Sequence, residues 1–84
     1  MLEKRSISIS GHRTSIALEP EFWAVIDEAA REQKLSLAAL IGRIDSARAE
    51  VNDQTGAGRN LASACRIFVL QCLQDRQSAA TPDL

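Results

Sequence analysis

The most constraining feature of the sequence is a short alternating stretch at residues 12–18, closed by Pro20. Side chains alternate along an extended chain, so one face carries Thr14, Ile16 and Leu18 and the other carries Arg13, Ser15 and Ala17. No clear strand follows, and a lone strand does not make a sheet. The simplest partner is the same strand of a second copy, paired antiparallel across a two-fold axis.

A second alternating pattern occupies residues 6–10, just before Gly11. It is typical of extended chain, and two alternatives stay open for it, a second strand or a disordered arm. Gly11 marks either a bulge or the junction between arm and strand. The predicted organisation is a flexible or extended arm at 1–11, a single domain at 12–76 and a disordered tail at 77–84.

Two helices are predicted directly after the strand. Pro20 suits the first turn of a helix, and an amphipathic pattern continues from it to about Lys34. Ser36 is a candidate N-cap for a second helix, which we expect to continue to about Glu50.

A polar loop and a third helix complete the predicted domain. Residues 52–59 contain two glycines and no periodicity, which indicates a loop. Asn60 can cap a helix over 61–76, and the apolar stripe of that helix is wide enough for burial on two sides. The predicted fold class is therefore mainly α with one N-terminal strand.

Length and cysteine content favour a dimer in a reducing compartment. A chain of 84 residues buries a limited core, so a second copy would supply the missing burial. Cys65 and Cys72 lie about 10 Å apart along one predicted helix and cannot bridge each other. We expect a cytoplasmic protein with no membrane span, because no apolar run approaches the roughly 18 residues needed and no signal peptide is visible.

Charge gives a mixed indication about nucleic acid. The net charge is −1, which argues against a broad basic surface. The first 18 residues are nevertheless locally basic, with Lys4, Arg5 and Arg13 against Glu3.

Enzymatic and metal chemistry are not predicted. His12 has no companion at ligand spacing, and both cysteines lie on or beside an apolar stripe, where a thiol acts as a small hydrophobe. The glycines before the third helix follow no strand and lack the Lys-Ser/Thr ending of a phosphate loop. We expect no catalytic residues, no metal and no cofactor.

The order of elements resembles the ribbon-helix-helix family of dimeric DNA-binding proteins over residues 12 to about 50. More closely, the chain is similar to a bacterial subgroup with an extra C-terminal helix. The resemblance is carried by Gly-His-Arg-Thr-Ser-Ile at 11–16, Leu-Glu-Pro-Glu-Phe-Trp at 18–23, Ser-Leu at 36–37, Asn-Leu at 60–61 and Arg-Ile-Phe-Val-Leu at 66–70. It implies a homodimer with an intermolecular two-stranded antiparallel ribbon.

The resemblance also implies a site on double-stranded DNA. The family's base-reading positions correspond to Arg13, Ser15 and Ala17 of the strand. Its phosphate grip uses backbone N–H groups at the start of the second helix, here Ser36, Leu37 and Ala38. We expect Arg5 and Lys4, on a flexible arm, and His12 to add phosphate contacts. The predicted function is transcriptional regulation by major-groove readout.

A competing prediction keeps the scaffold and changes the partner. The acidic pI, Ala17 at a reading position and the long apolar third helix favour a protein-interaction module. The predicted partner interface is formed by Ile67, Phe68 and Leu70.

Overall fold

The computed structural model describes residues 1–56 and 58–80, with side chains described as far as residue 77. An N-terminal hairpin is followed by three helices, which confirms the mainly α class. The elements are β1 (Glu3–Ile9), β2 (His12–Leu18), α1 (Pro20–Glu32), α2 (Leu37–Thr55) and α3 (Leu61–Ala80).

The ribbon of this fold lies within one chain. β1 pairs antiparallel with β2, in a register from Ile9 opposite His12 to Glu3 opposite Leu18. The connection is a two-residue turn at Ser10 and Gly11, whose φ angles of 50° and 81° are those of a type I′ hairpin. The sequence left two alternatives open for residues 6–10, and the structure shows the second strand. The inference that residues 12–18 lack a partner strand in their own chain was wrong.

Helix α1 begins and ends as its local sequence directs. Pro20 occupies the first turn, and the backbone leaves the helix through Lys34, whose φ is 56°. The Leu35 N–H donates to the Ala30 carbonyl and the Lys34 N–H to the Arg31 carbonyl, which is the Schellman arrangement. This end of the helix falls close to its predicted position.

Helix α2 starts as predicted but is longer. The Ser36 Oγ accepts a hydrogen bond from the Ala39 N–H at 3.1 Å, as an N-cap does. The helix continues past Glu50 to Thr55 and stops at Gly56, which has a left-handed φ of 73°. The predicted loop at 52–59 therefore began too early, because its first four residues belong to the last turn of α2.

Helix α3 also exceeds its predicted length. The Asn60 Oδ1 accepts a hydrogen bond from the Ser63 N–H at 2.7 Å, so the predicted cap is present. The helix reaches Ala80 rather than residue 76. The predicted tail at 77–84 thus begins inside a helix, and its residues 81–84 lie outside the described part of the chain.

The core lies between the hairpin and the three helices. One face of the sheet packs on them, and it buries Ile7, Ile16 and Leu18. The helices contribute the other buried side chains, which are Trp23, Ile26, Ala29, Ala30, Leu40, Ile41, Ile44, Cys65 and Val69. Across residues 1–56 and 58–80, no helix combines the length and the apolar character needed to traverse a bilayer.

Candidate nucleic-acid interface

The hairpin has an outer face turned away from the core. Because the register is fixed, alternate residues of both strands share this face. We define it by its six members, Lys4, Ser6, Ser8, Arg13, Ser15 and Ala17. All of them are exposed except Ala17, which is half-buried.

Arg13 and the serines form a small cross-strand group. Ser15 lies opposite Ser6, and Arg13 lies opposite Ser8. The Arg13 Nε also donates diagonally to the Ser6 Oγ at 3.4 Å. This contact holds the Arg13 guanidinium towards Ser6, the residue opposite Ser15.

The charge on the outer face has one sign. Its ionisable members are Lys4 and Arg13, and none of the six residues is acidic. The face therefore offers cations and hydroxyl groups, which are donors to phosphate and to base edges. The acidic pI of the chain reflects carboxylates placed on other surfaces.

Arg5 lies on the inner face and is already engaged. Its guanidinium donates to both carboxylate oxygens of Asp27 at 2.9 and 3.1 Å and to Glu3 at 2.7 Å, and lies 4.5 Å from the centre of the Trp23 ring. The hydrogen bond with Asp27 has the largest effect on the pKa of Arg5 and raises it. Burial lowers this pKa and the hydrogen bond with Glu3 raises it, so that the pKa lies above its ordinary value. The phosphate prediction placed Arg5 on a flexible arm with Lys4, whereas the structure places it in the ordered strand β1, opposite Ile16.

His12 is exposed at the start of β2, on the inner side of the ribbon. It lines a cleft of about 390 Å³ together with Ile9, Asp45, Arg48 and Asn60. Its phosphate contact stays a prediction, and the hairpin does not bring it onto the outer face. Within the described residues, no group of three or more His, Cys, Asp or Glu side chains is arranged to hold a metal ion.

Ser36 and Leu37 form the start of α2, on a separate element from the hairpin. Ser36 is exposed, and its hydroxyl already satisfies the Ala39 N–H. The first N–H groups of a helix have no intrahelical acceptor, so this end attracts anions in general. The predicted backbone grip on phosphate is compatible with this geometry and is untested by it.

The predicted partner interface is divided between a groove and an exposed ridge. Ile67 and Phe68 are half-buried and line an apolar groove of about 110 Å³ between α2 and α3. Leu70 does not line this groove and is 53% exposed, and Leu73, one turn later, is 44% exposed.

The sequence interpretation gave no contact to two residues of the outer face, Ser6 and Ser8, and placed Lys4 on a flexible arm. The signal was present, because residues 6–10 alternate in the same way as residues 12–18. Only the hairpin register aligns the two patterns, so that the polar sets fall side by side.

Comparison with known families matches residues 2–73 to the ribbon-helix-helix domain. No curated protein and no solved structure matches the chain. Domains of this family are typically DNA-binding transcription regulators that form dimers. The match includes the hairpin, the first two helices and most of α3, in agreement with the architecture described above. The chain belongs to the ribbon-helix-helix family.

Proposed function

We propose that this protein is a homodimeric transcription regulator that reads the major groove of DNA with the outer face of its hairpin. The observation that carries the proposal is the composition of that face, two cations and three serines without a carboxylate, on a chain of net charge −1. Membership of a family of typical DNA-binding regulators supports the same function.

The side chains that read bases lie on β2. An arginine forms two parallel hydrogen bonds with guanine, and a serine hydroxyl serves several bases. Arg13 and Ser15 supply these groups from adjacent positions of the outer face. Ala17 offers only a methyl group, which suits contact with a thymine methyl. Sequence readout by one chain is therefore sparse, and two copies on a two-fold site would double it.

The free edge of β2 supports dimer formation. The sheet of the described chain has two strands, so β2 pairs with β1 along one edge and with no strand along the other. Unpaired edges are templates for pairing with another chain. A second copy joined antiparallel at this edge gives a four-stranded sheet with the two β2 strands at its centre. The start of α2, at Ser36 and Leu37, then adds a backbone grip on phosphate.

Selection from a pool of duplexes with randomised centres tests the proposal. We expect the wild-type chain to enrich one sequence and to bind it with an affinity that falls as salt rises. Arg13→Ala should lose most of the preference for that duplex over a scrambled one. Arg43→Ala is the matched control, because it removes the same charge from the exposed side of α2. Equal preference in wild type and Arg13→Ala would refute the proposal.

A second candidate function is binding of a partner protein through α3. The observation that favours it is the apolar groove lined by Ile67 and Phe68, next to the exposed Leu70 and Leu73. In affinity capture from a bacterial lysate, a stoichiometric partner should be lost with Leu70→Asp and kept with Gln74→Asp. Gln74 is exposed on the same helix, so it controls for the added charge.

A further inference from the structure

The width of the proposed sheet can be compared with the width of the DNA groove. Neighbouring strands are about 4.8 Å apart, so in the four-stranded dimer each β1 axis lies about 7 Å from the two-fold axis. The major groove is about 12 Å wide, which places its phosphate walls about 6 Å from its centre. The two β2 strands therefore fit between the walls, and each β1 lies above one of them.

We propose that β1 is a phosphate-contacting strand, in which Lys4 and Ser8 bind the DNA backbone on either side of the bases read by β2. This inference rests on the proposed function and assigns the outer residues of the ordered strand a role of their own. Within the outer face, Lys4 lies opposite Ala17 and Ser8 lies opposite Arg13. Both side chains are exposed, and both carry donors suited to phosphate oxygens.

Both neighbours of Lys4 are attached to α1. The Trp23 Nε1 donates to the Glu3 carbonyl at 2.8 Å, and the Arg5 guanidinium is bonded to both oxygens of Asp27. The backbone at Lys4 is thus held in place while its ammonium group faces outward. A contact from a fixed strand loses less conformational entropy on binding than one from a loose arm.

The proposal divides the outer face into two kinds of contact. Phosphate contacts position a protein on any duplex, whereas base contacts distinguish one sequence from another. Substitutions of Lys4 or Ser8 should therefore weaken binding to all duplexes equally. Substitutions of Arg13 or Ser15 should act on the difference between duplexes.

Anisotropy titrations across a salt series test this division. The probes are the duplex enriched from the randomised pool and its scrambled version, and the proteins are full-length wild type, Lys4→Ala, Lys4→Arg, Ser8→Ala, Arg13→Ala and Arg43→Ala. Each phosphate contact contributes about 0.9 to the slope of log affinity against log salt. Lys4→Ala, which removes one contact per chain, should lower the slope by about 1.8 per dimer and the affinity for both duplexes by at least about tenfold.

The remaining variants make the result specific. Lys4→Arg should restore the affinity and the salt slope, because the charge is kept. Ser8→Ala should weaken both duplexes equally without a change in slope, since a neutral hydroxyl displaces no counterion. Arg43→Ala should leave the slope at its wild-type value.

The failures of the two proposals are distinguishable. If Arg13→Ala loses discrimination while Lys4→Ala keeps the wild-type slope, β1 does not contact phosphate and only this inference is overturned. A change in duplex preference caused by Lys4→Ala would also overturn it, because it would make β1 a reader of bases. If the wild-type chain enriches no sequence, both proposals are wrong.

Discussion

Arg5 and Asp27 join the first strand to the first helix by two parallel hydrogen bonds of 2.9 and 3.1 Å. The guanidinium is also stacked 4.5 Å above the centre of the Trp23 ring, whose own N–H donates to the Glu3 carbonyl. A charged side chain on the inner face of the sheet is thus paired with two carboxylates and an aromatic ring. The hairpin is attached to the helices through polar contacts as well as through the apolar core.

Replacement of Asp27 tests the strength of this attachment. Asp27→Asn should lower the free energy of unfolding by about 1 kcal/mol, a value near the upper end for partly exposed ion pairs because the geometry is bidentate. Urea titration at fixed protein concentration, followed by the emission of Trp23, measures the change; Trp23 is the single tryptophan of the chain. Asp53→Asn removes an exposed carboxylate of α2 and should change stability little, and an equal loss in both variants would contradict the prediction.

Lys34 adopts a left-handed backbone conformation, with φ at 56°, to end α1. A side chain with a Cβ is strained there by about 1 kcal/mol, whereas glycine is not. We expect Lys34→Gly to be more stable than Lys34→Ala by about that amount. Both variants lose the same charge, so their difference in thermal or urea unfolding isolates the backbone effect. A more stable alanine variant would show that the strain is absent.

The Cys65 thiol makes the free energy of unfolding change with pH in the alkaline range. Burial raises its pKa from the ordinary 9.0 to about 11. The folded state therefore favours the neutral thiol, and its contribution to stability is full below pH 9 and is lost as the pH rises through about 11. In urea titrations over this range, the free energy of unfolding should decline less with pH in Cys65→Ala than in the wild type. Cys72→Ala should keep most of the wild-type decline, and equal declines in wild type and Cys65→Ala would refute the assignment.

Ser6 should act through Arg13 rather than by contact with a base. Its Oγ accepts from the Arg13 Nε at 3.4 Å, which restricts the direction of the guanidinium. If the proposed function holds, Ser6→Ala should reduce the preference for the enriched duplex by about fivefold, the value of one ordinary hydrogen bond. Duplex competition by fluorescence anisotropy measures this preference. Ser6→Thr keeps the hydroxyl and should preserve it, whereas equal losses in the two variants would argue against orientation by hydrogen bonding.

The sequence predicted those parts of the fold that are set by local signals. Pro20, Ser36 and Asn60 mark the starts of the three helices, because each acts on the few backbone groups beside it. The end of α2 was not predicted, because Asn52 and Asp53 are poor helix formers that the context overrides. In the structure the Asn52 side chain is bonded to the backbone of Arg59, which supports the last turns of the helix.

The position of β1 depended on contacts that no local pattern contains. Alternation alone places Arg5 on the same face as Ile7, but a charged residue there suggests solvent unless its partner is known. That partner, Asp27, is 22 residues away in the sequence and lies on a helix. The base-reading positions of β2 were identified by resemblance, while the alignment of Ser6 and Ser8 of β1 beside them required the observed register.

The alternation of the hairpin separates two kinds of selection on the same sixteen residues. The turn at Ser10 and Gly11 fixes the register, so the inner residues are constrained by packing against the core and the outer residues are not. Changes at the outer positions can therefore accumulate without a cost in folding. Relatives that share this scaffold are free to diverge in what they recognise, and the outer face can be redesigned as an exchangeable cassette while the helices beneath it stay unchanged.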